Sequence, residues 1–214
     1  MRMKNFLAFL IALALLSGVP VFAADSGQLE ETAPFDEDVA GKWYADAARE
    51  AYRQGWMDSV GENRFDGGAT VTRGMAIDAI WRMAGSPKAG VSTGYADVEA
   101  ENPYHDAIDW AWESGVALGI GNGCFGWEQN VTREQLAAML YRYARTQGKG
   151  FTGTWMLLLD TDDREQVSDW AYESVCWLFM NQVMMGRGRN FAPHGNTTRG
   201  ELATVLTRFA ALER

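Results

Sequence analysis

Three arginines stand where a cation is out of place. Arg73, Arg133 and Arg199 each follow a threonine (Thr72, Thr132 and Thr198), and each begins an amphipathic stretch. A threonine there is a good helix N-cap, whereas the first turn of a helix favours anions over cations. A guanidinium beside free backbone N–H groups at a helix start can hold a carboxylate or ketal-carboxylate, because its planar fork matches two oxygens. The residues alone leave a second use equally open: ion pairs within the protein, to Asp36, Asp97 or Asp160. A second arginine follows each of these by nine residues, at Arg82, Arg142 and Arg208. Nine residues is two and a half helical turns, so the second cation faces away from the first.

The loops ahead of these helices carry the rest of the candidate chemistry. Residues 60–65, 119–125 and 186–191 each end in phenylalanine and hold glycines that let backbone N–H groups face a ligand; turn formation accounts for them equally well. Arg187 and Arg189 make the third loop the most basic. Trp127, beside a helix start, reads either as a sugar-stacking platform or as packing. Trp43, Trp110, Trp112 and Trp170 are candidate platforms too, but most sit at helical core spacing and they are expected inside.

Other chemistry finds no support. His105 and His194 are the only histidines, and no nucleophile elbow, paired-histidine motif or phosphate-binding loop is present. Asp160 to Asp163 starts like a calcium loop but lacks the glycine and the closing glutamate, and reads as a solvated acidic turn. Cys124 and Cys176 are expected to be unpaired and lack metal-ligand spacing. No catalytic residue, metal or cofactor is expected, and the chain does not read as an enzyme.

The elements that must place these residues are helices. Thr132 and Gln135 have capping-box spacing, and Leu136, Met139, Leu140 and Tyr143 line one face behind them. Ala76, Ala79, Ile80 and Met83 do the same after Arg73, and Leu202, Val205, Leu206 and Phe209 after Arg199. An earlier helix precedes each loop. Trp43, Pro103 and Trp170 share one register, each twelve residues before Gly55, Gly115 and Gln182, where a helix-ending residue belongs. The class is therefore all-α, with short loops and extended acidic starts.

The first 23 residues read as a secretory signal peptide: Arg2 and Lys4, then an apolar run from Phe6 to Leu16, then small residues to Ala23. No other stretch is apolar enough to span a bilayer. Without Arg2 and Lys4, 17 basic residues face 28 acidic ones. That excess speaks against nucleic-acid binding, and an anionic ligand would need local cationic sites. Residues 24–34 read as a flexible leader. Three units follow, 35–85, 95–145 and 159–214, joined by linkers 86–94 and 146–158. Such internal repetition decides architecture before any local assignment does.

Each unit resembles an S-layer homology (SLH) repeat. That family's repeat has a Phe-Asp-Val start, a helix opened by Trp, a Gly-rich loop ending in Phe and a Thr-Arg-Ala-Glu helix start. The corresponding starts are Phe35-Asp36, Tyr95-Ala96-Asp97-Val98 and Leu159-Asp160. The helix openings are Thr72-Arg73-Gly74-Met75, Thr132-Arg133-Glu134-Gln135 and Thr198-Arg199-Gly200-Glu201. Met75 and Gln135 replace the motif glutamate kept at Glu201. Gln182 replaces the helix-ending glycine and Pro103 the tryptophan. The resemblance implies a pseudo-threefold helical bundle in which grooves between repeats bind anionic, often pyruvylated, secondary cell-wall polysaccharide attached to peptidoglycan. The expected function is non-covalent anchoring of a secreted protein at the cell wall or S-layer. Arg73, Arg133, Arg199, Thr72, Thr132, Thr198, Trp127, Arg187 and Arg189 are its candidate contacts. The alternative is a structural module that pairs with another exported protein and binds no glycan.

Overall fold

Helix α3 (Arg73–Met83), α5 (Arg133–Thr146) and α7 (Arg199–Ala211) begin where the threonines predict. Each threonine hydroxyl accepts from the backbone N–H three residues on, and Gln135 and Glu201 return the bond to complete capping boxes. The computed structural model describes residues 33–153 and 158–212. The signal peptide and the leader up to residue 32 lie outside the described residues. Ala33, assigned to that leader, is buried.

The earlier helices are α2 (Ala45–Arg53), α4 (His105–Glu113) and α6 (Asp169–Met180). Gly55 and Gly115 sit just beyond α2 and α4 with φ of 72° and 74°; Gln182 takes the same left-handed conformation after α6, at 57°. The first acidic start is not extended. Asp36–Val39 forms a helical turn, α1, whose three leading carboxylates suit the positive end of the helix dipole. A 3-10 turn, Arg164–Gln166, precedes α6. Among the described residues there are seven α-helices and no sheet, only isolated bridges.

The helices pack in a ring that runs across the units: α3 against α4, α5 against α6, and α7 against α2. Pairing is therefore strongest across the linkers and between the first and last units, and not within a helix-loop-helix. The first linker is held too. Thr93 donates from its N–H and hydroxyl to Asp109, and Gly90 N–H donates to Glu113.

A closed triangle of backbone bonds marks the pseudo-threefold axis. Val71 N–H donates to Thr197 O (2.9 Å), Thr197 N–H to Val131 O (3.0 Å) and Val131 N–H to Val71 O (2.9 Å). All three residues are fully buried. Around them Phe65, Phe125, Phe191, Ile77, Leu136 and Leu206 form the core.

Candidate functional site

The three helix-opening arginines are buried, 3–6% exposed. Each reaches into the loop of the next segment around the ring. Arg73 donates from Nε to Phe125 O and from Nη2 to Leu118 O. Arg133 does the same to Phe191 O and Met185 O, and Arg199 to Phe65 O and Asp58 O. Each guanidinium also lies over the ring of the phenylalanine whose carbonyl it holds, at 4.9, 4.9 and 4.8 Å from the centroid. Burial pushes all three guanidinium pKa values down from the ordinary range.

This geometry corrects two expectations. Asp36, Asp97 and Asp160 are not the partners of these arginines. The carboxylates that matter are Asp38, Asp97 and Asp163, which accept from the backbone N–H of the loop phenylalanine and of the next residue. Asp163 belonged to the supposed solvated turn, yet it is buried. Nor are the helix-start N–H groups free to cradle a ligand. Arg73, Arg133 and Arg199 N–H donate to Gln129, Gly195 and Ala69 carbonyls, and the next N–H in each helix donates to Trp127, Pro193 and Gly67. The first turn of each helix is capped by a neighbouring loop.

The accessible chemistry lies one step outward, in three grooves. The α7–α2 groove encloses about 810 Å³, the α5–α6 groove about 650 Å³ and the α3–α4 groove about 290 Å³. Each is assembled from the same four sources. The floor is the helix-opening arginine of another segment: Arg133, Arg73 and Arg199 in turn. One wall is the helix face carrying the residue two after its own arginine (Glu201, Gln135, Met75) and the second arginine (Arg208, Arg142, Arg82). The loops Met184–Arg187, 117–120 and 56–59 make the other wall. Trp43, Trp170 and Pro103 stand at the rims. The half-turn offset predicted from nine-residue spacing is what sends the two arginines of one helix into different grooves.

Sequence reasoning missed the rims. Trp43 and Trp170 are 70% and 55% exposed, and Trp112 is exposed as well; of the four tryptophans expected inside, only Trp110 is buried. Their spacing matches the core face, but Trp43 and Trp170 stand at the N-terminal edge of α2 and α6, whose ends form groove mouths, and Trp112 lies at the C-terminal end of α4. The shared register of Trp43, Pro103 and Trp170 was the available signal. For the aspartates the signal was their separation of 27 or 28 residues from the loop phenylalanines.

The remaining candidates divide. Arg187 lines the α7–α2 groove and grips Glu201 with Nε at 2.7 Å and Nη2 at 2.6 Å; Arg133 Nη1 adds a third donor at 3.1 Å. Burial pushes the Glu201 carboxyl up, but these donors and the Thr198 N–H more than offset it, leaving its pKa below the usual range. Thr198 lines this groove as well. Thr72 and Thr132 act as caps. Trp127 is half-buried, donates Nε1–H to Asp97 O and packs at a 54° tilt against Tyr104, and Arg189 pairs with Asp162; neither is among the residues lining the three grooves. Cys124 and Cys176 are free thiols.

Comparison with known proteins finds a family match over part of the chain. The S-layer homology domain family matches residues 161–203, the stretch that supplies α6, the third loop and the start of α7. Three relatives align over nearly the whole chain. An endoglucanase of Bacillus sp. (strain KSM-635) is 26% identical over 96% of this chain. A cell surface protein of Thermoanaerobacter kivui is 25% identical over 97%, and the surface-layer 125 kDa protein of Lysinibacillus sphaericus is 24% identical over 96%. The chain spans 22%, 24% and 17% of those proteins' lengths.

Proposed function

We propose that this chain is a cell-surface protein made of three tandem SLH repeats, 35–85, 95–145 and 159–214, that anchors non-covalently to an anionic cell-wall polysaccharide. A cell-surface location is the one that the family match and the surface-layer relatives support. No helix among the described residues is long and apolar enough to cross a membrane. The reading is non-catalytic: the endoglucanase likeness covers 22% of that enzyme, and the grooves hold no arrangement of nucleophile and base.

One observation carries the proposal. In a chain of net charge −9, the α5–α6 groove is lined by Arg73 and Arg142, by no carboxylate, and by the exposed Trp170. The two cations are close enough that Arg142 adds to the burial that lowers the Arg73 pKa. Two cations in a groove that no carboxylate lines suit an acidic group on a sugar whose apolar face stacks on the indole. The α7–α2 groove repeats the theme with Arg133, Arg187, Arg208 and Trp43 around Glu201. Two such sites on one polymer give avidity without either being strong.

The helix-opening arginines then have a divided role: they staple the ring and lend charge to the groove floors, while Arg142 and Arg208 are the groove-wall cations. A second reading, a protein-interaction module without glycan binding, draws on the same burial, since the family-motif arginines are taken up by the protein's own carbonyls. The test is co-sedimentation with peptidoglycan sacculi, with and without removal of their acidic polymer. The anchoring reading expects retention that needs the polymer and falls about tenfold in Arg142→Ala. A folded protein that stays in the supernatant with intact sacculi points to the protein-interaction module.

A further inference from the structure

The three grooves are alike in construction and unlike in charge. In the α3–α4 groove, Arg82 Nη1 donates to Asp58 at 2.8 Å and Arg82 Nε pairs with Asp78 at 2.8 Å. The equivalent Arg142 and Arg208 have no carboxylate within ion-pair distance among the described residues. The floors differ in the same sense. Beyond burial, Arg199 feels only negative neighbours, Asp66, Asp58 and Tyr104, whereas a cation offsets part of the negative field at the other two floors: Arg187 against Glu201 and Asp163 at Arg133, and Arg142 against Tyr95 and Asp97 at Arg73. The α3–α4 groove thus holds two arginines and two aspartates, and its only other titratable lining group is Tyr104. It is also the smallest of the three, with Met75 where the others carry Gln135 and Glu201, and Pro103 where they carry tryptophan.

We infer that Asp58 and Asp78 occupy, on Arg82, the place that an anionic group takes on Arg142 and Arg208, so that the α3–α4 groove is capped by the protein itself and the other two do the binding. The inference rests on the anchoring reading for its consequence, but the capping is a property of the free protein. Arg82 is held by two carboxylates from different elements, one in the loop after α2 and one a turn earlier on α3. An incoming acid must displace both, and would then leave two aspartates facing it. Desolvation already strains one of them, since burial pushes the Asp78 carboxyl up despite Arg82. In the α5–α6 groove an incoming acid meets no lining carboxylate that it must displace.

Two experiments separate the capping from the anchoring. The first needs no polymer. Phenylglyoxal labelling read by mass spectrometry compares Arg82 with Arg142, which are similarly half-buried. Arg142 is expected to react severalfold faster, and Asp58→Asn/Asp78→Asn to bring Arg82 up to its rate. If the double variant does not fold, Asp58→Asn alone, at an exposed side chain, is expected to close part of the gap. Equal rates in the unaltered protein overturn the capping. The second uses sacculi carrying their acidic polymer. Arg82→Ala is expected to leave retention unchanged, while Arg142→Ala and Arg208→Ala each lower it about tenfold. Adding Asp58→Asn/Asp78→Asn to the Arg142→Ala/Arg208→Ala background should recover retention through the uncapped groove. An Arg82→Ala loss equal to the other two overturns the inference. If the unaltered protein itself is not retained, the anchoring reading fails, and labelling alone decides the capping.

Discussion

The α5–α6 junction and the other two junctions of the ring solve one packing problem in opposite ways. At α3–α4, Tyr104 lies flat on Gly74, where a Cβ would come within 2.5 Å of the ring. At α7–α2, Tyr44 lies on Gly200, where the distance would be 2.6 Å. At α5–α6 the bulk has changed sides: Ala171 follows Trp170 where tyrosine follows Trp43 and Pro103, and Glu134 stands where the other helices carry glycine. The buried Glu134 carboxylate accepts from Ser168 N–H and Ser168 hydroxyl, each at 3.0 Å, and lies 3.2 Å from His194 Nδ1. Ser168 precedes α6 without capping it by its own side chain, so a carboxylate from α5 supplies the negative charge that the α6 N-terminus favours. The lesson is that a ring position can be filled by shape or by hydrogen bonding, provided that the two helices exchange volume together.

The stapling arginines are common to all three junctions and set the upper scale. Arg133→Ala removes the donor to Phe191 and Met185 carbonyls and a partner of Glu201, and is expected to cost about 3–5 kcal/mol in urea unfolding. Arg73→Ala and Arg199→Ala should cost nearly as much; a negligible loss in any of them would refute the staple. Loss of sacculus binding in these variants therefore reports folding first, which is why Arg142 and Arg208 are the better binding probes.

Asp163→Asn comes next, at about 2–3 kcal/mol near neutral pH, because two buried N–H groups lose a charged acceptor. Burial raises the Asp163 carboxyl, but the bonds from Phe191 and Ala192 outweigh it and the pKa is lowered. Its contribution is therefore complete above the ordinary aspartate range and is lost as the pH falls through the folded-state value. The gap between the unaltered protein and the variant should close on acidification; a gap that persists in acid would assign the effect to shape.

The junctions themselves are tested by exchange. Gly74→Ala and Gly200→Ala force a Cβ into a tyrosine ring and are expected to destabilise by about 1–3 kcal/mol. Glu134→Ala leaves the Ser168 N–H without its acceptor and should cost about 1–2 kcal/mol. Pairing Glu134→Gly with Ala171→Tyr converts the odd junction to the tyrosine type and should recover most of that loss. A double variant no better than the sum of its parts would show that the two positions do not share volume. The smallest effect lies at the end of α6. Gln182→Gly relieves a left-handed φ that Gly55 and Gly115 adopt without strain, and should gain about 1 kcal/mol.

Much of this protein is written locally. Thr132 with Gln135 and Thr198 with Glu201 announce helix starts within four residues, and the apolar faces of α5 and α7 follow from a 3.6-residue period. The all-α class and the helix-ending role of Gly55, Gly115 and Gln182 could be read the same way, because each depends on neighbours along the chain. The offset of the second arginines was legible too, as a rotation along one helix.

What tertiary structure decided is where those faces point. The partners of Arg73, Arg133 and Arg199 come from 45 to 141 residues away, and no local pattern says that a guanidinium will close on a distant carbonyl instead of waiting for a ligand. Trp43 and Trp170 carry a core-like period, yet stand exposed at groove mouths, because a helical stripe records that a face is apolar and not what covers it. Arg82, Arg142 and Arg208 are indistinguishable in spacing. Asp78, one turn before Arg82 where Ala138 and Thr204 precede the others, is legible in the sequence; only the tertiary structure adds Asp58 from the loop after α2, and so makes one groove neutral and leaves the other two charged.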